Sequence, residues 1–149
     1  MVVFSRRSHL FRNECGLTRR EFTTDFVCFD STAMALPDMT DAEILQVAIP
    51  IMDNLMDAST HIDHARHVRD FGDRAKASLN EAQFRRICEQ YQRERGTFAG
   101  RELLGILRRP NSVVVVWRQR FTKAQGEYLA ELFLSDAEGR PLVERVMVS

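Results

Sequence analysis

Two different spacings of apolar residues divide the chain. From Asp41 to Ala58, the residues Ile44, Ala48, Ile51, Met52, Leu55 and Met56 recur at helical spacing, which lines one face of a helix with apolar side chains. Thr40 and Glu43 stand three apart, as in a capping box: the hydroxyl can accept the Glu43 amide, and the carboxylate can reach back to the Thr40 amide. Pro50 removes one helix hydrogen bond and is expected to kink or split this helix. Ser59–Thr60 reads as a break, and Thr60 with Asp63 as a second cap. A short helix then carries Ile62, Ala65, Val68 and Phe71 and ends at Gly72. Asn80 with Gln83 caps a third helix whose core stripe is Phe84, Ile87, Cys88 and Tyr91, and Gly96 stops it.

Beyond Gly96 the pattern becomes that of strands. "RELLGILRR" reads as a first strand and Pro110–Asn111 as a turn. "SVVVVWRQRF" is the clearest strand, with Val115, Trp117, Gln119 and Phe121 on one face and Val116, Arg118 and Arg120 on the other. "KAQG" is a hairpin loop, "EYLAELFLS" a third strand, "DAEGR" a turn and "PLVERVMV" a fourth strand. Such short connections imply an antiparallel meander. Three helices followed by four strands predict an α+β fold, with the helices packed on one face of a curved four-stranded antiparallel sheet.

This order resembles the nuclear-transport-factor-2-like superfamily, the cystatin-like α+β roll, and its small uncharacterised bacterial members. The resemblance spans Asp41 to Val148. It rests on the kinked first helix, on "HARHVRDF", "LNEAQFRRICEQYQRERG" and "TFAGRELLGI", on the Trp-bearing strand and on "GEYLAELFLSDAEGRPLV". It implies a cone in which helices close one end of the sheet over an apolar pocket. Relatives include isomerases, dehydratases, polyketide cyclases and non-enzymatic binding or dimerisation modules, so the resemblance licenses no activity. The enzymes place an Asp, His or Tyr in the cone. No residue of this chain matches those positions one by one, and no catalytic residue is carried over.

Residues 1–38 follow neither spacing. Arginines interrupt every apolar stretch, so no secretory signal forms, and Glu14, Glu21, Asp25 and Asp30 argue against a transit peptide. The expected organisation is a flexible extension over 1–38, or a start codon placed upstream of a true start at Met34 or Met39, followed by a single roll domain over 39–149. A short strand or helix around Phe22–Phe29 that packs on the domain is the rival reading.

Composition then narrows the function. Across 149 residues, 21 Lys+Arg balance 21 Asp+Glu, which disfavours a strong sequence-independent nucleic-acid binder. Lys76 and Lys123 are the only lysines. The arginines are scattered among acids, as on a solvated surface. No apolar run is long enough to cross a membrane. Cys15, Cys28 and Cys88 make neither a zinc spacing nor a disulfide framework, so a reducing cytoplasm is the expected setting.

The stretch "STHIDHARHVRDF" concentrates the candidate chemistry. His61, His64 and His67 stand at i, i+3 and i+6, which drifts around a helix and lacks the i, i+4 pairing usual for zinc. Beside the Ile62–Ala65–Val68–Phe71 stripe they read as boundary residues, with His67 the best placed to reach a pocket. Asp63 reads as a cap, and Asp70 and Asp73 as surface acids paired with Arg69 and Arg74. Trp117, Gln119, Tyr128 and Phe133 lie on strands, as core, interface or pocket residues. Cys88 on a core stripe reads as a buried structural thiol. Arg118 and Arg120 are expected to pair across strands with Glu127 or Glu131.

These residues point to a non-catalytic ligand-binding or protein-interaction module. It is expected to dimerise with itself through the sheet, because Val113 through Val116 leave neither sheet face polar. A small apolar ligand, no cofactor, no metal and neither nucleic acid nor membrane as partner complete the expectation. The pocket candidates are His67, Asp70, Trp117 and Tyr128. The alternative is a cofactor-free lyase or isomerase acting on a small apolar substrate in the cone, through His67, Asp70 or Tyr128.

Overall fold

The structure is a computed structural model that describes residues 35–137 and 139–149. A 3-10 turn, Leu36–Asp38, leads into helices α1 (Asp41–His61), α2 (His64–His67), α3 (Asp73–Ala77) and α4 (Glu81–Arg95). Strands β1 (Phe98–Arg109), β2 (Ser112–Phe121), β3 (Tyr128–Ala137) and β4 (Arg140–Val148) follow. They form one antiparallel sheet in the order β1-β2-β3-β4, so the expected α+β meander is the observed one.

The core lies between α1 and one sheet face. Register aligns Ile106, Val115, Leu132 and Val146 in a row across the four strands. This row joins Ile44, Ala48, Met52 and Leu55 of α1 in one apolar cluster. Each fully buried Leu, Ile or Val there stabilises the fold by roughly 1.5–3 kcal/mol. Arg101 and Arg108 of β1 reach the Asp53 and Asp41 carboxylates of α1. On the other sheet face, Arg118 pairs with Glu102 and Glu127 at 3.3 and 3.4 Å, and Arg120 with Glu127 at 3.6 Å. That is the cross-strand pairing expected of them, with Glu127 as the partner.

Both long-helix capping boxes form, at Thr40–Glu43 and Asn80–Gln83. Other expectations are corrected. α1 is not split: it runs unbroken through Pro50 to His61. Pro50 is exposed, so the carbonyl it leaves without an amide partner faces water. Thr60 does not cap α2, because its hydroxyl donates to the Met56 carbonyl at 2.9 Å within α1. The break comes at Ile62, which turns left-handed at φ 55°. Asp63 alone caps α2, accepting the Arg66 amide at 3.0 Å. Since α2 is one turn long, no stripe runs along it: Ala65 is exposed, whereas His67 is buried. α3 went unanticipated, since five residues are too few to show a period. Ile87, assigned to a core stripe, is 55% exposed.

Gly96 ends α4 as expected, at φ 83°, where a Cβ would also collide with Thr122 Oγ1. The folded unit reaches further back than Met39. Leu36 is fully buried in the core cluster, and its amide donates to the Asp136 carboxylate. The start assigned to Met34 and the element suggested at Phe22–Phe29 lie outside the described residues. Among the described residues, no helix is long and apolar enough to cross a membrane.

Candidate functional site

A cavity of about 340 Å³ lies between β4 and the α2–α4 helices. Phe71, Phe84, Phe98 and Phe121 supply much of its apolar wall. Among its buried polar groups is His67, which the Asp63 cap and the single turn of α2 carry inward. Nδ1 of His67 lies 3.3 Å from the Leu55 carbonyl and 3.1 Å from Ser59 Oγ. The ring packs against Phe84 at 4.6 Å and Phe71 at 5.4 Å between centroids. A carbonyl can only accept, so the bond to Leu55 places the proton on Nδ1. Nε2 is then an unprotonated acceptor, and no described residue donates to it. Burial pushes the His67 pKa down to about 4, outweighing the Leu55 bond that raises it, and neighbouring His64 lowers it further. The ring is therefore neutral at pH 7.

Ser59 links His67 to Cys88. Burial raises the Cys88 thiol to about 11, against a smaller lowering by the Ser59 hydroxyl. Burial likewise raises Tyr91 to about 12, although Gln92 and Thr60 bond to it. All three groups line the cavity, and all three are uncharged at neutral pH. With the proton on Nδ1, His67 cannot take one from Ser59. The Cys88–Ser59–His67 row is thus a chain of hydrogen bonds, not a nucleophile with its base.

The three clustered histidines take different partners, although His64 and His67 both pack against Phe84. His61 is exposed on α1, 3.3 Å from the Asp57 carboxylate. His64 Nε2 bonds the Leu79 carbonyl at 2.8 Å and ties α2 to the segment before α4. Among the described residues, no group of three His, Cys, Asp or Glu side chains could hold a metal.

Of the four pocket candidates, only His67 lines the cavity. Asp70 turns its carboxylate to Arg69 at 2.9 Å and uses its carbonyl to accept the Val143 amide. Trp117 sits in the α1–sheet core, with the Arg101 guanidinium 5.6 Å from its ring. Tyr128 stands behind the wall, edge-on to Phe121 at 4.9 Å. Facing the helices put Trp117 in the filled part of the fold, because α1 covers the sheet there. Gln119 also lies outside the cavity lining: it is buried in β2 and donates to the Gly100 and Arg120 carbonyls. Ser59 and Tyr91 were not read as site residues. The available signal was position: Ser59 falls seven residues after Met52, on the buried side of α1.

No family model matches the chain, and no curated protein matches it. Solved structures of similar shape include a SEC-C motif containing protein from Rhodopseudomonas palustris, 15% identical, with a TM-score of 0.48. The match covers 65% of this chain and 74% of that one. Bd1075 of Bdellovibrio bacteriovorus is 10% identical at a TM-score of 0.47, over 74% of this chain and 43% of that one. A DUF4783 family protein from Bacteroides ovatus is 12% identical at 0.44, over 64% and 90%.

Proposed function

We propose that this chain is a non-catalytic binding module of nuclear-transport-factor-2-like type, and that its ligand enters the cleft between β4 and α4. The element order supports the family. The observation that carries the function is His67: a neutral imidazole whose Nδ1 bonds the Leu55 carbonyl and to whose Nε2 no described residue donates, in an apolar cavity. Such a site suits an apolar molecule with one hydrogen-bond donor. 4-Propylphenol is a suitable probe. Added to the protein, it is expected to shift the NMR signals of His67, Phe84 and Tyr91, and His67→Phe is expected to weaken it at least tenfold. Equal binding by the variant would remove His67 from the site. No shift at millimolar probe would remove the site itself.

A lyase or isomerase reading is weaker on the same geometry. General bases work best with pKa values near the operating pH, and His67 at about 4 lies well below it. We also propose self-association through the outer sheet face, supported by the exposed apolar side chains Leu107, Leu129 and Met147. Sedimentation at tens of micromolar is expected to give a dimer that Leu107→Glu dissociates. A monomeric parent protein would end that proposal.

A further inference from the structure

One wall of the cleft is β4, the last strand of the sheet among the described residues. Ser149 and Leu129 exchange two backbone bonds, of 2.8 and 2.9 Å. In an antiparallel ladder such pairs alternate with pairs whose N–H and C=O point away from the partner strand. The alternate pairs here are Ala130 with Val148 and Leu132 with Val146. The backbone groups of Val146 and Val148 therefore point away from β3, and no other described backbone group bonds them.

The irregularity after Phe133 shifts the register, and Val143 becomes the residue that faces outward. There the edge is already taken. The Val143 amide donates to the Asp70 carbonyl at 2.8 Å, the Gly72 amide donates to the Val143 carbonyl at 3.0 Å, and Phe71 pairs with Val143 in parallel. The chain adds one extended tripeptide to this edge and then leaves it at α3. At the next positions along the edge no described segment pairs, and the apolar cavity lies beside them. An edge strand next to a groove walled by a helix is the arrangement that binds peptides by strand addition: main-chain bonds give affinity, and alternate side chains enter the groove.

Charge sets the direction. Arg95 lines the cavity at the end where β2 finishes and β3 begins, which register places beside Val148. Its guanidinium lies 4.6 Å from the Tyr128 ring centre and 5.8 Å from that of Phe121, and no described carboxylate pairs with it. Arg145 shares the lining, but its guanidinium is stacked on Phe133, 4.1 Å from the ring centre, on the opposite face of the sheet. At the other end of the edge, the Glu144 carboxylate already accepts the Ser135 hydroxyl at 2.6 Å.

We propose that the cleft takes an extended apolar peptide ending in a free carboxylate. It adds as a strand to Val146 and Val148, runs parallel to β4 as Phe71 does, and sets its terminal carboxylate against Arg95. This deepens the binding reading above and rests on it.

The test is selection of random heptapeptides with free C-termini against the full chain. Enriched peptides should be apolar at alternate positions, the last included. One of them, synthesised as the acid, should bind at least tenfold more tightly than its C-terminal amide. Arg95→Gln should bring acid and amide within twofold. Val146→Pro, which removes one edge amide, should lose the peptide while keeping the fold, as its amide NMR spectrum would show. Equal binding of acid and amide by the parent protein overturns the carboxylate assignment. No enrichment over the Val146→Pro and Arg95→Gln baits, with 4-propylphenol still bound, overturns the peptide inference and leaves the cleft reading standing. Loss of both probes overturns the two together.

Discussion

Acidification from pH 6.5 to pH 4 will remove about 3 kcal/mol of stability through His67 alone. An unfolded histidine takes its proton near 6.5, whereas burial holds the folded His67 down to about 4. Between those values the unfolded chain binds a proton that the folded chain refuses. The contribution is therefore fully present above about 6.5 and is lost as the pH falls through 4. Protonation would set a charge between the Phe84 and Phe71 rings that pack against the imidazole, and its bonded nitrogen already donates to Leu55 and Ser59. Carboxylates titrate in the same range, so the reading must be a difference. Urea midpoints at pH 7 and pH 4 for the parent and for His67→Gln should diverge, with the parent losing more by nearly the whole amount. Parallel losses would show that His67 titrates normally and is not buried as described.

Leu36→Ala will cost about 3 kcal/mol, within the 2–5 kcal/mol range of buried leucine truncations. Leu36 is fully buried against the α1–sheet core although it stands before the first long helix. The alanine leaves a cavity bounded by a helix and a sheet, and neither can collapse far to fill it. The Leu36 amide keeps its bond to the Asp136 carboxylate, so the loss measures packing. Chemical denaturation of the full-length variant decides it. A change under 1 kcal/mol would mean that the fold begins at Met39 after all.

That second prediction marks one limit of sequence reading. A single buried leucine in a 3-10 turn has no periodic neighbours, so nothing distinguished Leu36 from the residues around it. Elements of ten residues or more were legible. β2 was placed residue for residue at Ser112–Phe121, and α4 by its capping box and its glycine stop. Elements of four or five residues were not. The stripe laid through Ile62, Ala65, Val68 and Phe71 assumed a helix that the left-handed turn at Ile62 and the single turn of α2 do not provide. His67 was singled out for its nearness to Phe71, and it does line the cavity beside that ring. Its depth, tautomer and bonds to Leu55 and Ser59 depend on how α1 and α2 cross, over a separation of twelve and eight residues.

By itself the sequence determined the order and type of the long elements, the meander, the capping boxes of the two long helices, and the neutral formal charge. These follow from local spacing and from turn chemistry, which act over a few residues. Tertiary structure alone decided where the cavity lies, that Trp117 and Tyr128 stand outside it, and that the β4 edge and Arg95 border it. Burial, pKa and unpaired backbone groups arise from contacts between distant segments, and no local pattern records them.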